Sequence, residues 1–157
     1  MRKHFQYLKY VLIHKYWVFY YSCKFGIPWR GLMHDLSKFS PDEWFPYVNY
    51  FYGNKKGRFD EVGKEDDFAV AWQKHQNRNK HHWEHWRDAT THSTIMTDTY
   101  IKEMMCDWFA MARSKREDIF VNSILYFEKH EDSLPITQYD NLRIYHCLRN
   151  RMFCTMI

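Results

Sequence analysis

The sequence predicts an all-α chain, a single compact bundle of about six to seven helices, and three observations carry that expectation. Apolar and aromatic residues recur at helical spacing through most of the 157 residues. Only 5 glycines and 4 prolines are present, too few for the many tight turns of a β-sandwich. Hydrophobic residues at 45%, with aromatics at 20%, exclude a disordered chain and supply one sizeable core. No repeat, low-complexity tract or linker divides the sequence, so residues 1–157 are expected to form one domain.

The elements follow in order. From Lys3 to about Lys24, Tyr7, Val11, Trp17, Val18 and Tyr21 fall on one side of a helix, with His14 in the middle of that side. Ile27-Pro28 opens a second, short helix expected to end near Lys38. "SPDE" then restarts the chain, with Ser40 as N-cap, Pro41 at the first helical position and Glu43 completing a capping box. The third helix is expected from Pro41 to Tyr52, irregular at Pro46. "GNKKGRFDEVGKEDD", Gly53 to Asp67, holds three of the five glycines and is the best candidate for a mobile surface loop.

A fourth helix starting near Asp66 places Phe68, Ala71, Trp72, His75, Asn79 and His82 on one face. After a break at "DATTHST", Thr97 or a neighbour caps a long helix running through Ala112. Ser114 with Glu117 forms a second capping-box pattern, starting a helix from about Lys115 to His130. "DSLP" separates it from a last helix, Gln138 to Met152.

A formal charge of +4 is modest, and the densest basic run, "ARSKRE", already contains an acid, so specific duplex nucleic-acid binding is not expected. Cys23, Cys106, Cys147 and Cys154 form no C-x-x-C pair and read as reduced thiols of a cytosolic protein. The apolar run "YVLIHKYWVFYY" is interrupted by His14 and Lys15 and lacks a cleavage site, so neither a membrane span nor a leader is expected.

The outlier is histidine, with 10 in the chain and four of them between Lys74 and Trp86. Metals recruit neutral imidazole and carboxylate, and in helical proteins the ligands converge from several helices. Here His14 lies on an apolar helix face, His34 and Asp35 close the second helix, and His75, His81 and His82 come from the fourth. Asp107 interrupts the apolar side of "YIKEMMCDWFAMA". Each has a plainer reading: His14 as a hydrogen-bonded core histidine, Asp35 as a helix-end acceptor, His81, His82 and His85 as a solvated face. Asp107 is hardest to dismiss, because a carboxylate among Met104, Trp108 and Met111 is costly to bury unless it is paired or bound to a metal. Glu103, one turn earlier, supports it, adds a ligand or faces solvent.

A continuous fourth helix would set His75 and His82 seven residues, or ~10 Å, apart along the axis, too far to share an ion; if "NRNK" ends the helix, either His81 or His82 swings in. Residue spacing leaves that choice open.

The order H…HD…H…HH…D resembles the HD-domain superfamily of metal-dependent phosphohydrolases, and "LMHDLSKF" is similar to its hydrophobic-hydrophobic-HD-x-x-K turn. The resemblance runs from His14 through Asp107. More narrowly, "HDLSKFSPDEW", "AWQKH", "HHWEHW" and "EMMCDW" resemble a family of phage and bacterial proteins placed within or beside the HD group, from which no activity carries over. The superfamily resemblance implies that His14, His34, Asp35 and Asp107 form one metal site, and that His75 with His81, His82 or both completes a second, with Asp35 as bridge. It also implies that Lys38 approaches a substrate phosphate or orients the attacking group. One or two divalent ions (Mn, Fe, Co, Ni, Zn or Mg) are the implied cofactors, and the cytoplasm of a bacterial or phage-infected cell the implied location.

A metal held by His and Asp with an open position lowers the pKa of bound water, and two metals can also hold a phosphoryl oxygen. The expected function is therefore phosphate-ester hydrolysis, with Asp35 and Lys38 as catalytic residues. Arg78, Lys80, Arg87, Arg113 and Lys115 are outer cations that read as surface charge. Trp72, Trp83, Trp86 and Trp108 interleave with the ligand segments; they read first as core, and any that lines the cavity suits a nucleobase. The expected substrate is a small nucleotide: a monophosphate, a cyclic nucleotide or an oligonucleotide messenger. Two alternatives stand: a mixed-valence di-iron oxygenase of the HD type, and a non-catalytic helical protein binding metal, nucleotide or a host protein.

Overall fold

A computed structural model of the chain describes residues 1–53, 64–86 and 95–149. In it, seven α-helices carry the fold: α1 (Arg2–Lys24), α2 (Pro28–Met33), α3 (Pro41–Tyr52), α4 (Lys64–Arg78), α5 (Asp98–Lys115), α6 (Ile119–His130) and α7 (Gln138–Arg149). Single 3-10 turns follow α2, α4 and α6, and no strand occurs among the described residues. The loop expected at 53–67 falls largely outside the described residues, as do Arg87, the break "DATTHST" and Cys154.

Helix α1 is the central post. Tyr7, Val11, His14, Val18 and Tyr21 are buried at the three- and four-residue spacing that makes one helical face, and α5, α2 and α3 pack around it. Two apolar clusters share this post. The lower half of α1, with Tyr7 and Val11, packs on Tyr47 and Val48 of α3 and Ala71 of α4. The upper half, with Val18 and Tyr21, joins the larger core of α5, α6 and α7 around Met105, Phe109, Phe127 and Ile144. His14 sits on α1 between Val11 and Val18, at the seam between the clusters.

Helix α2 reaches α1 through Gly31. A Cβ there would meet Ser22 Cβ at 2.5 Å and the Phe19 backbone at 3.0 Å, so only glycine lets the two helices approach this closely. Helix α2 ends at Met33, earlier than the expected end near Lys38. His34 is extended and Asp35 takes a left-handed conformation (φ 55°), which turns the chain into the 3-10 turn Leu36–Phe39.

Two expected capping boxes do not form. Ser40 stands at the N-cap of α3, but its hydroxyl donates to the Ser37 carbonyl (2.6 Å), and Glu43 is fully buried elsewhere. Ser114 and Lys115 continue α5 instead of starting the next helix. Helix α5 ends on left-handed Arg116, and α6 starts at Ile119 because Asp118 accepts from the backbone N–H of Phe120 (3.0 Å) and Val121 (2.9 Å).

Candidate metal centre

The seven residues singled out for metal binding come together at the seam between the two apolar clusters, delivered by four separate routes. α1 contributes His14, the turn after α2 contributes His34 and Asp35, α4 and the turn beyond it contribute His75, His81 and His82, and α5 contributes Asp107. Two of the compact donor groups they form are His14–His34–Asp107 and Asp35–His75–His81–His82, with the ligand atoms within 4.8 Å of one another in each.

Asp35 joins them. Its Oδ2 lies 3.3 Å from His34 Nε2 and 3.9 Å from His14 Nε2, while its Oδ1 lies 3.4 Å from His75 Nε2 and 3.5 Å from His81 Nε2. The left-handed backbone presents this carboxylate between the groups; Asp tolerates that conformation better than most residues. Asp107 Oδ1 lies 3.0 Å from His14 Nε2 and 3.6 Å from His34 Nε2. Donors about 2.1 Å from a common ion stand roughly 3.0–3.4 Å apart at tetrahedral or octahedral angles. Most of the observed separations lie in or just above that range.

Where α4 stops brings both His81 and His82 to the cluster. Its last residue is Arg78, and the chain turns there because the Asn79 backbone N–H and side-chain amide both donate to the His75 carbonyl (3.0 and 2.9 Å). Trp86 Nε1 donates to the Lys80 carbonyl (2.7 Å) and His85 Nδ1 to the Asn77 carbonyl (2.8 Å), holding the turn. His81 and His82 both swing toward Asp35; the ~10 Å separation of a continuous helix does not arise.

Two residues beyond the expected ligand set orient the imidazoles. Glu43 Oε2 accepts from His75 Nδ1 (2.8 Å), and Glu103 Oε1 accepts from His34 Nδ1 (3.1 Å) and faces His81 Nδ1 at 3.5 Å. A carboxylate only accepts, so Nδ1 of His34 and His75 carries the proton and Nε2 turns its lone pair into the centre. Arg30 clamps Glu103 Oε2 from outside (2.6 and 2.8 Å), and Arg78 bridges Glu43 and Asp42. Sequence reading left Glu103 open and gave Glu43 to a helix cap. The available signal is weak: Glu103 lies four residues from Asp107 beside an apolar stripe, and Glu43 has no candidate ligand within a helical turn.

The electrostatics favour a cation. Burial opposes ionisation of Asp35, yet His34, Lys38 and His75 hold its carboxyl well below the usual range; Asp107 is likewise held down by His14 and His34. Burial also works against Glu103, whose hydrogen bonds from His34 and His81 bring it to about 2. Burial pushes His14, His81 and His82 toward the neutral form that can ligate, whereas against that same burial Asp35, Asp107 and Glu103 raise His34.

Among the described residues, the buried atoms without a hydrogen-bond partner include six that fit a metal most directly: Nε2 of His14 (ion-paired with Asp107), His34, His75, His81 and His82, and Oδ1 of Asp35. Buried polar atoms are rarely left so, and six converging on one place match a donor set missing its ion.

A cleft of about 440 Å³ opens onto the centre. Asp35, Lys38, His75 and Asp107 lie along it, Trp72, Trp108 and Tyr126 wall it, and exposed Lys115 also lines it. Lys38 is buried, its Nζ 2.6 Å from Asp35 Oδ2, and that ion pair raises its pKa against the effect of burial. Of the four tryptophans that interleave with the candidate ligands, Trp83 is core and also reaches the cleft, and Trp86 packs on Tyr100. Arg78 is taken up by Asp42 and Glu43, Arg113 lies over Trp17 and Lys80 over Tyr100.

Fold and site together define an all-α protein with a buried histidine–carboxylate cluster whose donors could hold a metal ion. The chain belongs to a family of unknown function, DUF5662, whose model matches residues 3–149. No curated protein and no solved structure gives a significant match.

Proposed function

We propose that the protein is a metal-dependent phosphohydrolase of the HD type acting on a small nucleotide. One observation carries the reading: the Asp35 carboxylate divides its two oxygens between two donor groups at the floor of an aromatic-walled cleft. Divalent ions in such a centre would lower the pKa of a coordinated water and offset charge on a phosphoryl oxygen.

The protein's own residues have defined tasks in this reading. His14, His34 and Asp107 would hold one ion, His75, His81 and His82 the other, and Asp35 would be shared. Glu43 and Glu103 keep the Nδ1 protons in place, so the Nε2 lone pairs stay directed inward. Lys38, tethered to Asp35, offers N–H donors to a phosphate at the cleft floor. Trp72, Trp108 and Tyr126 offer ring faces to a base, and a cleft of 440 Å³ is in the range that encloses small ligands.

The donor set favours a second reading for the same centre. Imidazole and carboxylate without thiolate also suit iron, as the di-iron oxygenase alternative requires. Metal analysis of tag-free protein purified without chelator, followed by a nucleotide panel assayed for phosphate release and for oxygen uptake, separates the two. Hydrolysis predicts phosphate release under anaerobic conditions, the oxygenase predicts iron with oxygen consumption, and a binding protein predicts neither. Asp35→Asn retains a side chain that tolerates the left-handed backbone, so it is expected to fold and to lose metal from both groups together with turnover. Undiminished metal content and turnover in that variant would remove the mechanism.

A further inference from the structure

Independently of the metal centre, we infer that the exposed face of α1 is the interface of a homodimer in which two copies of α1 pack antiparallel. Opposite its buried face, α1 exposes a second seam, Phe5, Lys9, Leu12, Tyr16, Phe19 and Cys23, at alternating four- and three-residue steps. That is the heptad spacing by which one helix packs along another. The seam continues onto α2, where Trp29 and Leu32 are exposed. Gly31 sits against the Phe19 backbone, and Lys15 Nζ reaches the Leu32 carbonyl (3.2 Å).

The area decides that this face is more than scattered surface apolarity. Phe5, Leu12, Tyr16, Phe19, Trp29 and Leu32 are each 41–69% exposed. At ~200 Å² for a large side chain they present roughly 700 Å², above the few hundred typical of a monomer's largest patch and close to the ~800 Å² each partner buries in a stable interface.

The pattern is also self-complementary, as a twofold interface requires. An axis level with residue 14 maps the seam onto itself, setting Phe5 opposite Cys23, Lys9 opposite Phe19 and Leu12 opposite Tyr16. Lys9 then meets an aromatic ring, and the two Lys9 residues stand ten residues, ~15 Å, apart along the axis. Parallel pairing would place Lys9 against Lys9, and α1 contains no acidic residue to relieve it. Antiparallel packing also aligns the helix dipoles favourably. An anionic membrane surface fits less well, because Lys9 lies in the middle of the apolar seam, between Phe5 and Leu12, and not on a flanking polar face.

The test is the mass of the full chain in solution, by light scattering on a sizing column and by sedimentation across a concentration series. Twice the 19.6 kDa chain mass is expected, falling twofold in Leu12→Glu and in Tyr16→Glu with the melting temperature and metal content kept. A monomer at every concentration overturns the proposal, as does a dimer that neither substitution weakens. Orientation is read in a Cys154→Ser background. Antiparallel packing separates the two Cys23 residues by roughly 27 Å, so oxidation leaves them unlinked, whereas added Leu12→Cys and Tyr16→Cys, opposed across the axis, cross-link. An efficient Cys23–Cys23 disulfide overturns the antiparallel arrangement. A monomer that co-sediments with anionic phospholipid vesicles overturns the second copy as the occupant.

Discussion

At the residue scale, Asp35 and Glu103 carry the centre in different ways. Asp35 sits between the donor groups, whereas Glu103 acts on the rings: its Oε1 reaches Nδ1 of His34 in one group and of His81 in the other. Glu43 reaches only His75. Loss of a carboxylate that orients a ligating histidine typically costs 10–100-fold in metal affinity. Glu103→Gln is therefore expected to weaken both sites by roughly that factor, and Glu43→Gln only the site containing His75. Calorimetric titration of apo-protein with Mn²⁺ reads the two steps separately; unchanged affinity in Glu103→Gln would mean that packing alone orients the rings. The candidate ligands were legible because residue type and order are local properties of the chain. Glu43 was not, because "SPDE" is the string of a capping box whether or not the carboxylate turns inward. Its contacts with His75, 32 positions away, and with Arg78 and Ser37 draw it off the helix end.

At the element scale, helices α1, α3 and α4 follow from periodicity and start signals, and their starts lie within about two residues of expectation. Breaks were harder to read. The left-handed turn at Asp35 and the stop at Arg78 depend on what the chain meets after turning, and both deliver ligands. The α5–α6 junction was misplaced because Ser114 and Glu117 mimic a capping box, while Asp118 does the capping one turn later. Gly31 shows how an element contact positions the site: the approach of α2 to α1 sets where His34 and Asp35 emerge. Gly31→Ala forces a methyl onto Ser22, and overpacking of this kind costs about 1–3 kcal/mol. The variant is expected to melt at lower temperature and to bind metal more weakly, both measurable by thermal denaturation with and without Mn²⁺. A lower melting temperature with intact metal affinity would separate α2 packing from ligand placement.

At the scale of the whole molecule, the centre lies between the two apolar clusters. Helices α3 and α4 pack on each other and on the lower half of α1, while α5, α6 and α7 form the larger core with its upper half. Between them stand buried imidazoles and the carboxylates of Asp35, Asp107, Glu43 and Glu103, with Lys38 buried among them. Several Nε2 atoms of the described residues have no hydrogen-bond partner there and four carboxylates share a low-dielectric layer, so an ion is expected to add to the cohesion of this seam. An ion bound only by the folded state adds RT ln(1 + [L]/Kd), about 2.7 kcal/mol at a hundredfold excess over Kd. It would also tie α4, through His75, His81 and His82, to His14 on α1 and Asp107 on α5 by way of Asp35. Chelation is therefore expected to lower the melting temperature and to increase amide exchange selectively in α3 and α4, with little change around Met105 and Phe109 in α5. Mass-spectrometric hydrogen exchange on protein with and without EDTA checks this directly. A uniform change over all helices would mean that metal stabilises the molecule as one unit. No change in either observable would mean that the histidine layer holds the two halves together without an ion.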